Sequence, residues 1–332
     1  MSVDGDGPTR FSICSMDLAP VDGLPYVGRM KTLVLLPVLL LLACSSSAQQ
    51  PAPAAPAPAT STEPAPATAA APTEAQAPAA ASTPPAPAAP AIPPYTPGPD
   101  VPEAIRAAVT ASDRTDDDRA LDAGRRPGEV LAFFQVAPGQ KVGELFSGRG
   151  YTTELLGRVV GDGGIVYAQN TKEVMDRIAR QPLTERLARL GKKNIVVVEQ
   201  PAEAPFPRQA RKLDAVICIL NYHDFVGQKV DRAKLNKAVL AALKPGGVYG
   251  IVDHSAAAGS GERDAETLHR IDEELVKTEV TAAGFKLDGE SAVLRNPEDP
   301  RDWNSSPRAA GEKRGTSDRF TLRFVKPGKR KH

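Results

Sequence analysis

The sequence has little surplus charge of either sign: 41 Lys and Arg face 40 Asp and Glu over 332 residues. A nucleic-acid binder needs a basic surplus to neutralise phosphates, so that class is set aside. Cysteine is scarce as well. Of 3 cysteines, Cys14 and Cys44 lie far upstream and Cys218 stands alone, which excludes a disulfide-built scaffold. Long apolar runs are missing too. The best of them, Leu33 to Ala43, is too short to cross a bilayer of about 30 Å as a helix. Proline, by contrast, is abundant but badly spread, with half of the 32 prolines between Pro51 and Pro99. Residues 45–100 are mainly Ala and Pro, favour polyproline II and have too few large apolar groups to bury a core. They read as a disordered tether ahead of one domain, residues 101–332.

Arg29 and Lys31 precede the apolar run, which ends in Leu41-Leu42-Ala43-Cys44. This pattern suits a secretory signal rather than a membrane span. It resembles the lipobox of bacterial lipoproteins, which implies a lipid anchor at Cys44 in an exported protein. Ser45 after the cysteine implies the periplasmic face of the outer membrane. Residues 30–44 are then the signal peptide, and residues 1–29 fit no part of one, so translation is expected to start at Met30.

From Pro127 onward, helix-period and strand-like segments alternate. Strands are expected at Lys141–Phe146, Ile165–Ala168, Ile195–Val198, Ala215–Leu220 and Val248–Val252. The third and fourth read as apolar on both faces, as a covered parallel sheet requires. A helix through Ile178, Leu187 and Leu190 is expected to break at Pro182. Another runs through Leu268, Ile271, Leu275, Val280 and Ala283, with His269 four residues before Glu273 as a surface pair. Closing strands are expected near Phe285–Leu287 or Ala292–Leu294, and at Phe320, Leu322 and Phe324. The pattern means a doubly wound α/β domain with a mostly parallel sheet.

The turn Ser147-Gly148-Arg149-Gly150 sits between the first strand and a helix, where glycines let a backbone approach a ligand. A dinucleotide site would want glycine at Thr153 and an acid where Gln169-Asn170 ends the second strand, so NAD is disfavoured. Glu144 to Gly150 instead resembles motif I of the class I S-adenosylmethionine (SAM) methyltransferases. Asp214 opening the fourth strand and the turn Leu243-Lys244-Pro245-Gly246-Gly247 are similar to that family's pattern. Asn221-Tyr222-His223-Asp224 and Asp253-His254-Ser255 resemble a bacterial group of exported methyltransferases. The resemblance implies a seven-stranded Rossmann-like sheet in the order 3-2-1-4-5-7-6, with the last strand antiparallel. It also implies SAM as cofactor, with Glu144, Gly148 and Gly150 at its methionine end. Asn170 would take the place of the acid that grips the ribose, Glu203 would meet the adenine and Asn221 would complete the site.

Ligands of open α/β sheets bind beyond the carboxyl ends of the strands. His223-Asp224 and Asp253-His254 would therefore share one rim, with His223, Asp224, His254 and Tyr222 as candidates for catalysis on a small-molecule acceptor. Asn221-Tyr222 lacks the two prolines of the loop by which amino-methylating relatives hold a nitrogen, so it names no acceptor. Histidine and aspartate suit a metal, but no tight ligand spacing supports one, and none is expected. Arg295, Arg301 and Trp303, in the long polar stretch Arg295–Asp318, are candidates for an anionic or aromatic acceptor. The competing reading is a non-catalytic exported binding module that keeps the fold.

Overall fold

Residues 95–328 are described by a computed structural model of the protein. The expected start at Met30, the lipobox ending in Cys44, most of the Ala/Pro tether and the end of the basic tail lie outside the described residues. Tyr95–Asp100, read from composition as tether, belong to the folded part. The Tyr95 hydroxyl bonds the Glu129 carboxylate and accepts the Gly128 N–H at 3.0 Å, and the Gly98 N–H donates to Glu129 at 3.1 Å.

Three helices lead: α1 (Glu103–Thr110), α2 (Asp116–Arg125) and α3 (Pro127–Phe133). Thr115 caps α2 by accepting the Asp118 N–H, and three aspartates fill its first turn, where the helix dipole favours negative charge. Then follow β1 (Lys141–Leu145), α4 (Tyr151–Val160), β2 (Ile165–Asn170), α5 (Lys172–Val174), a π turn over Met175–Ala179, α6 (Arg180–Leu190), β3 (Ile195–Glu199) and β4 (Leu213–Ile219). The second half comprises α7 (Asp224–Gly227), α8 (Arg232–Ala242), β5 (Leu243–His254), α9 (Ala265–Leu268), α10 (Glu273–Ala282), β6 (Lys286–Ser291) and β7 (Arg319–Val325).

The seven strands form one sheet in the order β3-β2-β1-β4-β5-β7-β6, parallel except for β7, which runs antiparallel to both neighbours. This is the order that the resemblance implies. Alternation along each strand divides the core between the two faces. Val216, Cys218 and Ile251 pack with Leu235, Val239 and Val276 on one side; Val142, Ile217 and Val252 pack with Leu131, Leu155 and Leu156 on the other. Cys218 is buried in mid-strand, a small hydrophobe as its position suggests. Gly250 is required by that packing, because a Cβ there would lie 2.6–2.8 Å from three ring carbons of Phe134. Gly250→Ala is accordingly expected to cost about 1–3 kcal/mol through overpacking, read as a lower denaturant midpoint at unchanged slope.

Three expectations change. β3 is the sheet's edge and leaves Val196 and Val197 more than a third exposed, so apolar strand composition overstated its cover. Pro182 does not break its helix. It lies two residues into α6, directly after a π turn over Met175–Ala179 that continues into the helix, and Ile178 in that turn is exposed. The helix read through Leu268 and Ala283 is two helices separated at His269, whose φ is +51°. Tertiary pairing overrides the helical spacing: Ile271 bridges Ser255 just past β5, and its N–H donates to the His254 carbonyl at 3.0 Å.

Candidate functional site

The carboxyl ends of β1, β4 and β5 are adjacent in the sheet and form one rim. The loop after β1 is built by side chains from β2. The Gln169 carboxamide accepts the Phe146 N–H at 3.2 Å, and Asn170 Oδ1 accepts the Gly148 N–H at 2.9 Å. Asn170 Nδ2 donates to Ser147 Oγ at 2.9 Å. The amide of asparagine accepts from one group and donates to the other, so both of its ends serve the loop. The Asn170 side chain is wholly buried and committed to the loop, so the ribose contact the resemblance assigns it is not available in this arrangement.

Gly148 has φ +55°, and a Cβ on it would meet nothing nearer than the Phe146 carbonyl at 3.9 Å. The space above that turn is open for a ligand to approach. Gly150 serves differently. It has φ +86°, and a Cβ would strike Leu183 at 2.7 Å and Arg186 at 3.0 Å, so its bareness lets α6 pack against the start of α4. Packing against α6 by itself accounts for glycine at this position. Beneath the loop, Glu144 points into the core of the site. Its carboxylate lies 2.5 Å from the Thr153 hydroxyl, and burial pushes its pKa up to about 8 against that hydrogen bond. Thr153 occupies the position where a dinucleotide fold would carry glycine.

Leu220, just after β4, is held at φ +60°, and the chain turns through Asn221, Tyr222 and His223. The Asn221 amide clamps the rim by donating to the carbonyls of Phe146 at 3.1 Å and Ile219 at 2.7 Å. Tyr222 departs from expectation: its ring is buried beside Phe225, its hydroxyl donates to Glu279 at 2.9 Å and accepts from Asn236 at 2.8 Å. Its side chain is a core group, turned inward from the rim. Glu203 is likewise turned to structure, its carboxylate accepting the Asp231 N–H at 3.2 Å.

The histidines and aspartates converge as adjacency of β4 and β5 demands. Asp253, fully buried, accepts the backbone N–H of His223 at 2.8 Å and of His254 at 2.7 Å, and its Oδ1 lies 2.7 Å from His223 Nδ1. Burial alone would lower the His223 pKa, but the Asp253 carboxylate outweighs it and raises it to about 9. His254 is the opposite case. Its Nδ1 lies 2.7 Å from Ser317 Oγ, and burial holds its pKa down to about 3, so it is a neutral ring with a structural partner. A residue the helical reading misplaced completes the group: His269, in the break between α9 and α10, puts Nδ1 3.2 Å from His223 Nε2. Asp224 flanks both rings, partly exposed.

The long stretch Arg295–Asp318 joins β6 to β7, yet its predicted binding groups are consumed internally. Arg301 and Arg295 pair with Asp318, Arg295 also with Glu273, and Trp303 Nε1 donates to Asp299 at 2.7 Å. Two other arginines border a small cavity with room for about one water. Arg125 and Arg319 line a pocket whose walls are Val130, Leu131, Leu155 and Leu294, open beside Leu220 and Val252 at the ends of β4 and β5. The Arg125 guanidinium lies 4.3 Å over the Tyr151 ring and has no hydrogen bond or ion pair among the described residues. Arg319 donates only to the carbonyls of Ser317 at 3.1 Å and Gly315 at 2.7 Å. Burial, with Arg125 nearby, lowers its pKa to about 10. No local sequence signal marked this pair, because its two members are separated by most of the domain.

No family model and no curated protein matches the chain. Solved structures that resemble it include a SAM-dependent methyltransferase from Aquifex aeolicus, at 19% identity over 64% of this chain and 99% of that one, with a TM-score of 0.44. A putative sarcosine dimethylglycine methyltransferase from Galdieria sulphuraria is 18% identical over 64% of this chain and 88% of its own, at 0.44. The fibrillarin of Aeropyrum pernix with natively bound SAM is 16% identical over 62% and 76%, at 0.40. At these values the likeness carries no argument about activity.

Proposed function

We propose that this domain is a SAM-dependent methyltransferase whose acceptor binds on the rim of β4 and β5. The carrying observation is a buried ionisable Glu144 beside an open glycine, Gly148, at the carboxyl end of β1. Burying a carboxyl without a cationic partner is costly, and its raised pKa records that cost. A cationic ligand relieves it, and SAM carries both an ammonium and a sulfonium. The residues present fit such a cofactor: Glu144 for the positive charge, the bare Gly148 turn for close approach. SAM supplies, when bound, a methyl group on a good leaving group. What the chain must add is orientation of the acceptor and exclusion of water.

Arg125 and Arg319, which have no hydrogen-bonded carboxylate among the described residues, would favour an acceptor that brings a carboxylate or phosphate to this side of the rim. By its front end, the protein is proposed to act outside the cytoplasm, anchored at Cys44 to the outer membrane.

Calorimetric titration of the ligand-free protein with SAM tests the reading. Wild type is expected to bind, and Gly148→Ala to bind at least about tenfold more weakly, a loss of ~1.4 kcal/mol. The substitution meets no neighbour, so its stability cost is limited to about 1–2 kcal/mol of left-handed backbone strain. Wild type that ignores SAM would sink the methyltransferase and leave a binding module for another ligand.

A further inference from the structure

The geometry points to a divalent-cation site formed by His223 Nε2, His269 Nδ1 and Asp224 Oδ1: we propose that these three atoms bind a zinc-like ion and leave one position open. The separations are 3.2 Å between the two ring nitrogens, 3.4 Å from His223 Nε2 to Asp224 Oδ1, and 3.8 Å from His269 Nδ1 to Asp224 Oδ1. Ligand atoms on a tetrahedral cation with bonds of about 2.0–2.2 Å stand roughly 3.3–3.6 Å apart. Three donors therefore already stand close to three corners of one coordination tetrahedron, the widest pair needing to close by a few tenths of an ångström, although they come from the turn after β4, the start of α7 and the break before α10. Sequence spacing of 223, 224 and 269 conceals this, because the last ligand arrives through the pairing of Ile271 with Ser255.

A second observation is independent of that triangle. His223 Nδ1 lies 2.7 Å from Asp253 Oδ1, and Asp253 is itself immobilised by two backbone N–H groups. A buried carboxylate holding the far nitrogen of a ligating histidine fixes the ring and presents Nε2 as the donor, the usual outer support of a protein-bound metal. Asp224 supports the same reading, since no hydrogen-bond donor other than these rings meets its carboxylate among the described residues. Without a cation, one proton must be shared between the two ring nitrogens beside the Asp224 carboxylate. Asp224 and His269 are each about a third exposed, at 33% and 34%, so an ion can enter from solvent.

Three protein ligands with one open position is the arrangement of a reactive rather than a structural zinc site. That position would take water or an oxygen or nitrogen of a ligand and lower its pKa. That this ligand is the methyl acceptor rests on the methyltransferase reading; cation binding does not.

The test uses the untagged protein, freed of metal with a chelator, titrated with Co²⁺ and followed by its visible absorption, then with Zn²⁺ by calorimetry. One equivalent per chain is expected, with intense tetrahedral cobalt bands. His269→Asn tolerates the left-handed backbone and should bind at least about a hundredfold more weakly. Asp253→Asn should weaken binding about 10–100-fold without removing a ligand. Absence of stoichiometric binding in a wild type that unfolds cooperatively would overturn the proposal, and a shared proton between the two rings would then account for the contact. Equal cobalt affinity in wild type and His269→Asn would overturn it too. A protein that binds cobalt but not SAM keeps this site and loses the methyltransferase; the reverse loses only this site.

Discussion

Glu144→Gln is expected to stabilise the ligand-free protein above pH 8 and to cripple its binding of SAM. Burial raises the Glu144 pKa from an ordinary 4.5 to about 8. Between those values the folded protein keeps a proton that the unfolded chain has released. Stability contributed by this group is therefore whole below pH 4.5 and falls as pH rises toward 8. At about 1.36 kcal/mol per unit, the full loss is on the order of 5 kcal/mol. Glutamine fills the same space, accepts the Thr153 hydroxyl and does not titrate. The melting temperatures of variant and wild type should nearly coincide at pH 5 and diverge by on the order of 10 °C above pH 8, the variant being higher. A carboxyl group that weakens its own fold has a use elsewhere. In the wild type, SAM affinity should rise about tenfold per pH unit up to the Glu144 pKa and then level off, as binding expels its proton. Calorimetry in buffers of different ionisation enthalpy would register that proton. A pH-independent SAM affinity, or a variant that binds as well as wild type, would remove Glu144 from the cofactor site.

Asp299→Ala is expected to be the most damaging single change far from the loop after β1. Arg270 is completely buried and its guanidinium meets Asp299 through two hydrogen bonds, at 2.7 and 3.2 Å. Asp299 also accepts from Trp303 Nε1 at 2.7 Å and from the Asp318 N–H at 2.6 Å, so one carboxylate organises the whole connection between β6 and β7. Deleting it strands a buried cation at a cost of about 3–5 kcal/mol. Thermal unfolding should shift down by roughly 10–15 °C, and cleavage by protease should appear within 295–318. The double change Arg270→Met with Asp299→Leu should recover much of that loss, since breaking a buried pair costs more than replacing it. If the single variant melts like wild type, the pair is not buried in solution as described.

The sheet was legible because burial on both faces writes apolar runs at β1, β2, β4 and β5, separated by glycine and proline turns. The candidate site was legible only where it is local. Glu144 and Gly148 stand on one strand and its turn, so their spacing in sequence is their spacing in space. His269 was not, because Leu268, Ile271 and Leu275 keep helical spacing while the backbone between them is drawn to the end of β5. Arg295, Arg301 and Trp303 look like free recognition groups until Asp299 and Asp318 are found buried beneath them. Arg125 and Arg319 carry no sequence mark at all; one ends a helix and the other begins a strand, and only the fold brings them to one pocket.

Phe146 and Leu220 are bulky residues held at φ +50° and +60° where β1 and β4 end. Each conformation costs about 1–2 kcal/mol, and no unfolded chain would keep it. That cost is met when the chain folds, with Gln169 and Asn221 pinning the backbone on either side. A ligand arriving at this rim therefore finds a preorganised surface: little of its binding energy is diverted to ordering backbone, and association should be limited by diffusion and desolvation rather than by a conformational step.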